Sequence, residues 1–376
     1  MKKIITTVGT SLFENYIREN EEKQNFKNIY QYFKNKELNA DDLDKNQQRK
    51  NTILKEFHQN YFKNNFDASA EIKSLIKLKQ ELKEDFDIYL LYSDTALSRL
   101  AAEILGEYIH SYEELEKSHI QLEKIENLQV KDRKKFIEGM SNLINIIYKI
   151  SQNYWSNIII NITGGYKATI PYLTILSQVN QCPIYYIFEE TDSLIQIPNI
   201  PLDIKWEIFD KYWEIFSDIE KENIVEEKKL SYEFRNDCIS LFEIEYIDHS
   251  KYYALNPLGE ILWKKYKEKY FIYYSPEEVQ KEIEKTEIQR IIQSKFSNFQ
   301  LRVSKTEIKN NHYVYDDGDN PYRIFYFEEK DLIYIYKIFD NHDKYVEYLN
   351  NNPFNEQLKN AIKAKSKSFK LEVSNV

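Results

Sequence analysis

The sequence predicts an α/β protein in three parts: a doubly wound N-terminal domain over residues 1–205, a small winged-helix-like connector over 206–270, and an α+β domain over 271–376 that ends in a basic tail. Three observations carry this expectation. Apolar runs of strand length alternate with amphipathic stretches through roughly the first 200 residues. A glycine pair, Gly164-Gly165, lies between such a run and such a stretch in a chain with only 7 glycines in 376 residues. Beyond Ser275 the order changes to helices, then alternating strands, then a closing helix.

The elements follow in order. Met1 to Val8 reads as a strand and leads into Gly9-Thr10-Ser11. From Glu14 to Asn65 the chain is polar with scattered Tyr, Phe and Leu, which predicts helices on an exposed face. Ala68 to Leu82 is an amphipathic helix and Phe86 to Tyr92 a strand. Ser93-Asp94-Thr95 then caps a helix from Ala96 to Leu105, because short polar side chains satisfy free N–H groups at a helix start. Lys131 to Gln152 is a long helix, Ser156 to Ile162 a buried strand, Lys167 to Val179 a helix, Pro183 to Glu189 a strand, and Leu194 to Pro198 a short segment.

Three strand ends thus carry small hydroxyl or glycine residues: Gly9-Thr10-Ser11, Ser93-Asp94-Thr95 and Thr163-Gly164-Gly165. In open parallel sheets ligands bind beyond the carboxyl ends of the strands. Glycine lets a backbone approach closely, and a helix N-terminus offers N–H groups to an anion. Each end alone reads first as an ordinary turn or cap; together they suit a phosphate-rich ligand, with Lys167 in reach of a phosphate. Neither G-x-G-x-x-G nor G-x-x-x-x-G-K-[ST] follows a strand, so the pattern is neither a dinucleotide fingerprint nor a P-loop.

Composition narrows the classes. The chain is 42% hydrophobic and 30% charged, enough for sizeable cores. No apolar stretch reaches the ~18 residues of a membrane span and no signal peptide opens the sequence, which predicts a cytoplasmic protein with no membrane partner. Cys182 and Cys238 are far apart, as in a reducing compartment. A net charge of −9 argues against a general duplex-DNA binder. The tail Glu356–Val376 holds five lysines (359, 363, 365, 367, 370) against two glutamates, and reads equally as a solvated tail or a nucleic-acid arm.

The opening TTVGTSL, the unit LYSDTALSRLAAEIL, the run NITGGYKA and the closing YYIFEE with IPNIPL resemble the CARF domain of CRISPR-associated type III effectors, over roughly residues 1–203. The resemblance implies a Rossmann-like homodimer that senses cyclic oligoadenylate, cyclic tetra-adenylate ahead of hexa-adenylate, in a cleft across its two-fold axis. By resemblance Thr10, Ser11, Ser93, Thr95, Thr163, Gly164, Gly165 and Lys167 line that cleft. Hydroxyl and backbone donors with a lysine point charge suit phosphates. Whether such a domain also degrades its ligand stays open. The output domain usual beside this sensor, an R-x(4–6)-H ribonuclease, is not expected here. None of the histidines 58, 110, 119, 249, 312 and 342 has an arginine five to seven residues upstream.

In the connector, Leu230 to Tyr246 reads as an apolar helix, followed by a short wing and by LNPLG leading into a helix Glu260–Lys267. Glu220, Glu222, Glu226 and Glu227 favour a connector or dimerisation role over contact with DNA. A ligand-responsive winged-helix regulator, the competing reading, needs a basic recognition helix that the sequence lacks. Sequence-specific DNA is therefore not an expected partner.

Ser275 to Phe296 reads as a helical hairpin opened by Ser275 as N-cap, Pro276 in the first turn and then two acids. Asn311–Tyr315, Pro321–Phe327 and Leu332–Phe339 read as antiparallel strands, with turns at Asp316–Asn320 and Glu328–Asp331 and a final helix near Asp343. NPYRIFYF, LIYIYKIF and DNHDKY resemble the RelE family of ribosome-dependent mRNA interferases over about Phe271–Asn360. The resemblance implies an endoribonuclease acting on mRNA at the ribosome. Arg323 would stabilise the transition-state phosphate, His342 would occupy the basic position after the last strand, and Tyr345 would stack a base or help activate the 2′-hydroxyl. Arg302, Lys305, Lys309 and His312 are alternatives for the remaining basic positions. Cleavage by 2′-hydroxyl attack needs a base, a cation and an acid, and no metal or cofactor. A metal-dependent PD-(D/E)xK nuclease is the competing reading, from Glu328-Glu329-Lys330 with Asp316, Asp317 or Asp319 upstream.

Overall fold

The structure is a computed structural model that describes residues 1–36, 38–63, 65–129, 132–188 and 193–374. Lys131, where the long helix was expected to start, and Glu189, where a strand was expected to end, lie outside the described residues, as do Glu190 of the YYIFEE run and the last two residues of the tail. The chain divides into two compact units, residues 1–204 with 256–261, and residues 205–255 with 262–376. The second holds the expected connector, apart from residues 256–261, and the C-terminal domain. No helix among the described residues is long and apolar enough to cross a membrane.

The first unit is built on a six-stranded sheet of β1 (Lys2–Val8), β2 (Phe86–Ser93), β3 (His119–Ile125), β4 (Ile158–Asn161), β5 (Ile184–Phe188) and β6 (Ser193–Ile197). Its order is β3-β2-β1-β4-β5-β6, with all neighbours parallel except β5 and β6. The chain runs outward from β1 in one direction and from β4 in the other, which makes the sheet doubly wound. Strand β3 is absent from the sequence reading. It is an edge strand with little apolar alternation, and its Leu122 is 40% exposed.

Between β1 and β2 lie α1 (Ser11–Glu19), α2 (Gln24–Lys36), α3 (Gln47–Leu54), α4 (Gln59–Phe62) and α5 (Ala70–Leu82). The expectation of an exposed helical face is corrected here. The scattered aromatics converge, and Phe13, Tyr16, Phe26, Phe33, Phe57 and Phe62 are buried in one cluster with the sheet. Such rings bury large areas from a sequence that looks polar on average. Helix α6 (Ala96–Tyr108) follows β2, α7 (Arg133–Ser151) precedes β4, and α8 (Ile170–Asn180) follows it. Helix α8 starts three residues later than Lys167, after a 3₁₀ turn at Lys167–Thr169, with Pro171 in its first turn.

The second unit opens with α9 (Glu207–Glu222), β7 (Val225–Glu226), α10 (Tyr232–Cys238), β8 (Phe242–Ile247), β9 (Ser250–Leu255) and α11 (Pro257–Lys269). The expected helix Leu230–Tyr246 is a seven-residue helix and then a strand, because Phe242–Ile247 pairs with β9 to form the wing. A second six-stranded sheet follows: β10 (Tyr270–Pro276), β11 (Thr306–Lys309), β12 (His312–Tyr315), β13 (Arg323–Glu329), β14 (Leu332–Phe339) and β15 (Ser366–Glu372), in the order β11-β12-β13-β14-β10-β15. Helices α12 (Glu277–Ile283), α13 (Thr286–Ile291) and α14 (Phe299–Ser304) precede the meander. Helices α15 (His342–Asn351) and α16 (Glu356–Lys365) follow it.

Two further expectations are corrected. Ser275 is not an N-cap: β10 runs through Pro276, and the Ser275 hydroxyl donates to the Pro276 carbonyl. The basic tail is neither free nor solvated, since α16 packs Ile362 into the core and β15 pairs along the whole of β10. Three hairpin turns, Asp248-His249, Asn310-Asn311 and Lys330-Asp331, adopt φ between 47 and 66 without glycine. Paired left-handed residues match the right-handed twist of the flanking strands.

Candidate functional site

In the first unit β2, β1 and β4 are adjacent and parallel, so their carboxyl ends share one edge of the sheet. The reversal of strand order falls between β1 and β4, where sheets of this kind open a binding crevice. Hydrogen bonds tie the three ends together. The Ser98 hydroxyl donates to the Val8 carbonyl at 3.0 Å and accepts the Ser93 amide at 3.0 Å. The Thr7 hydroxyl donates to the Gly164 carbonyl at 2.6 Å. Gly165 has φ +86, and a Cβ there would lie 2.7 Å from that of Thr7.

Glu71, in the first turn of α5, is 1% exposed and sits beneath this edge. It accepts the Gly9 amide at 2.7 Å and the Ser11 hydroxyl at 3.1 Å. A Cβ on Gly164 would lie 2.1 Å from its Oε1. The glycine at 164 is therefore required first by the protein's own carboxylate. Nothing in the sequence separated Glu71 from the other acids of an amphipathic helix.

The expected ligand residues divide into two groups. Ser11 also accepts the Ala70 amide at 3.2 Å, and Thr163 donates to Asn161 at 2.8 Å while accepting the Ile187 amide at 3.1 Å. Both hydroxyls are committed to holding the fold. Ser93 and Thr95 lie 3.2 Å apart, and Thr95 caps α6 through the Ser98 amide. The Thr95 and Ala96 amides go to Ser93 and Leu38, so the α6 terminus is largely satisfied. What remains for an anion is the first turn of α1 after Thr10, the backbone at Gly164-Gly165 and the exposed Lys167.

In the second unit, the sheet face that packs against α15 and α16 brings several predicted residues together. Arg323 opens β13. Its Nε pairs with Asp316 at 2.9 Å and its Nη1 donates to the Asn320 and Tyr322 carbonyls at 3.2 and 3.1 Å. A guanidinium has five N–H donors, and among the described residues no hydrogen bond engages its Nη2 amino group. His342, the first residue of α15, is exposed, with its ring 5.7 Å from that of Tyr345. The Lys309 ammonium lies 5.6 Å from the same ring. Lys309 is held above its ordinary pKa first by Glu307, at 2.5 Å, and then by the Tyr345 hydroxyl.

Other predicted residues lie elsewhere. Tyr345 is 3% exposed and packs on Phe325, so its ring is a wall of the site and not an open stacking surface. His312 is fully buried. Its Nδ1 is 2.6 Å from the Tyr336 hydroxyl and its Nε2 2.5 Å from the Asn352 carbonyl, and burial lowers its pKa. Both ring nitrogens are satisfied, which makes it a core histidine. Lys305 is exposed and donates to the Asp317 carbonyl at 3.5 Å. Arg302 is buried against Glu328 at 2.9 Å. Sequence reading missed Lys337, which pairs across from Phe325 and lies 5.9 Å from the Phe339 ring on this face. Its place as the polar member of an alternating strand was the available signal.

The two competing motifs are drawn into ion pairs. Glu328 pairs with Arg302, Glu329 with Lys359 at 2.9 Å and with Lys363, while Lys330 occupies the left-handed turn. Among the described residues no three His, Cys, Asp or Glu side chains are grouped to hold a metal ion. In the winged-helix-like part, Arg235 on α10 and Lys251 on β9 both pair with Glu227, at 2.6 and 3.0 Å.

Residues 66–200, which include Glu71, two of the three strand ends and Lys167, match the family model of a CRISPR-associated protein, Cas_APE2256. No curated protein matches the chain. Among solved structures, Can2 from Sulfobacillus thermosulfidooxidans in complex with cyclic tetra-adenylate is similar at 12% identity over 68% of this chain and 71% of that one. The TM-score is 0.22, and at that value the backbones do not superpose closely enough to carry an argument.

Proposed function

We propose that this chain is a cyclic oligoadenylate-responsive effector of type III CRISPR defence, working in the cytoplasm as a homodimer, with a C-terminal unit that cuts mRNA on the ribosome. One observation carries the reading. A segment similar to CRISPR-associated proteins includes the Thr163–Lys167 turn, which follows β4 at the point where the doubly wound sheet reverses. A cyclic polyanion, tetra-adenylate ahead of hexa-adenylate, is the ligand such a turn suits.

In the second unit, the ribose 2′-oxygen attacks the adjacent phosphorus, a 2′,3′-cyclic phosphate forms and the 5′-oxygen leaves with a proton. Arg323 offers its Nη2 amino group to the crowded phosphate. His342 exchanges the proton. Lys309 and Lys337 add positive charge along the same face. The resemblance to RelE-family interferases supports this assignment, as does the convergence of Arg323, Lys309, His342 and Tyr345 on one face.

The test is a cell-free translation reaction given tetra- or hexa-adenylate rings separately, with mRNA cuts mapped by primer extension. Ligand-dependent cuts that persist in EDTA and vanish in Arg323→Ala and His342→Ala are expected. Rings that bind without producing cuts overturn the nuclease assignment; rings that do not bind overturn the sensor.

A further inference from the structure

The buried carboxylate of Glu71 lies where a polyanion is proposed to bind, and among the described residues no lysine or arginine pairs with it. Buried acids are rarely left without a cation. Its partners are the Gly9 amide at 2.7 Å and the Ser11 hydroxyl at 3.1 Å, and it sits in the first turn of α5, whose N-terminus favours a negative charge. The side chain is walled in by Gly164, where any Cβ would reach its Oε1. Glu71 therefore places a carboxylate beside the two loops that carry the anion donors, and it takes the Gly9 amide away from any ligand.

Resting on the sensor reading above, we propose that Glu71 is an affinity-setting residue: its charge weakens the grip of the cleft on the anionic ring and speeds the ring's release. A purely structural strut would act in the opposite sense, since its removal would loosen both loops and weaken binding. The two roles are separated by the direction of the change.

Glu71→Gln keeps an acceptor for the Gly9 amide and removes the charge. Calorimetric titration of the full-length protein with cyclic tetra-adenylate should show binding about ten-fold tighter in Glu71→Gln than in wild type, mainly through slower release in a displacement assay. Unchanged or weaker binding by a variant that melts as wild type does overturns the proposal. If Glu71→Gln does not fold, Glu71→Ala is measured in the same way and tighter binding is again expected. Failure of both to fold assigns Glu71 to the strut and overturns the proposal as well. Wild-type protein that binds neither tetra- nor hexa-adenylate sinks the sensor reading itself, a result distinct from each of these.

Discussion

On the proposed reading, the sheet edge of the first unit and the face of the second that carries Arg323 and Lys309 meet the same electrostatic problem with different materials. The first offers mostly main-chain N–H groups, and its hydroxyls at Ser11 and Thr163 are already engaged in holding the loops. The second offers side-chain cations, and two of them come with their own carboxylates, Asp316 for Arg323 and Glu307 for Lys309. Backbone donors cannot rotate away, so such a site is set by the fold. Side-chain cations would have to exchange one anionic partner for another to take the proposed RNA substrate, so their site would be set by competition. The difference teaches where each unit is sensitive: the first to backbone geometry, the second to charge.

The sharpest way to break the comparison is Arg323→Ala. If side-chain charge does the chemistry, ligand-dependent RNA cleavage should fall by about 10²–10³-fold, the range for losing one transition-state donor. Stability should change by no more than about 1 kcal/mol, because the ion pair with Asp316 is partly solvated. Rates on labelled RNA and denaturant midpoints check both. Next comes Gly165→Ala, which forces a side chain into φ +86 against Thr7. A stability loss of about 2 kcal/mol and loss of ring binding are expected together, read by urea denaturation and calorimetry. Wild-type binding by this variant would show that the Gly164-Gly165 backbone contributes nothing to the site.

A smaller effect concerns His312. Burial holds its folded pKa below its ordinary 6.5. The unfolded chain therefore binds the extra proton first, so this contribution is complete above about pH 6.5 and is lost as pH falls toward the folded value. The melting temperature of the second unit should drop from pH 7 to pH 5, and that part of the slope should be missing in His312→Gln. The smallest effect is expected at Lys167→Ala, about five-fold weaker ring binding, because an exposed lysine adds a point charge to donors already in place.

These differences explain what could be read from the sequence. The sheet of the first unit was legible because β1, β2, β4 and β5 are apolar runs, and the meander β12–β14 because its strands alternate. The edge strands β3 and β11 were not, since an element paired on one side carries few apolar residues. Strand β10 was hidden by Ser275-Pro276-Glu277-Glu278, which imitates a helix start. At the sites, the glycine pair showed in sequence because Gly165 takes a left-handed backbone, φ +86, that favours glycine. Positions fixed by distant partners did not: Glu71 lies 93 residues before Gly164, and the burial of His312 depends on Tyr336 and Asn352.

The hairpin turns have a wider meaning for this chain. Asp248-His249, Asn310-Asn311 and Lys330-Asp331 turn left-handed with ordinary residues, at a cost of about 1 kcal/mol for each such position. Glycine at Asn311 or Lys330 would relieve that cost. A protein this sparing with its smallest residue nonetheless sets Gly9 and Gly164 against one carboxylate and Gly165 beside them against Thr7. Where bareness is rationed, its concentration marks the spot that drift cannot fill with a methyl group.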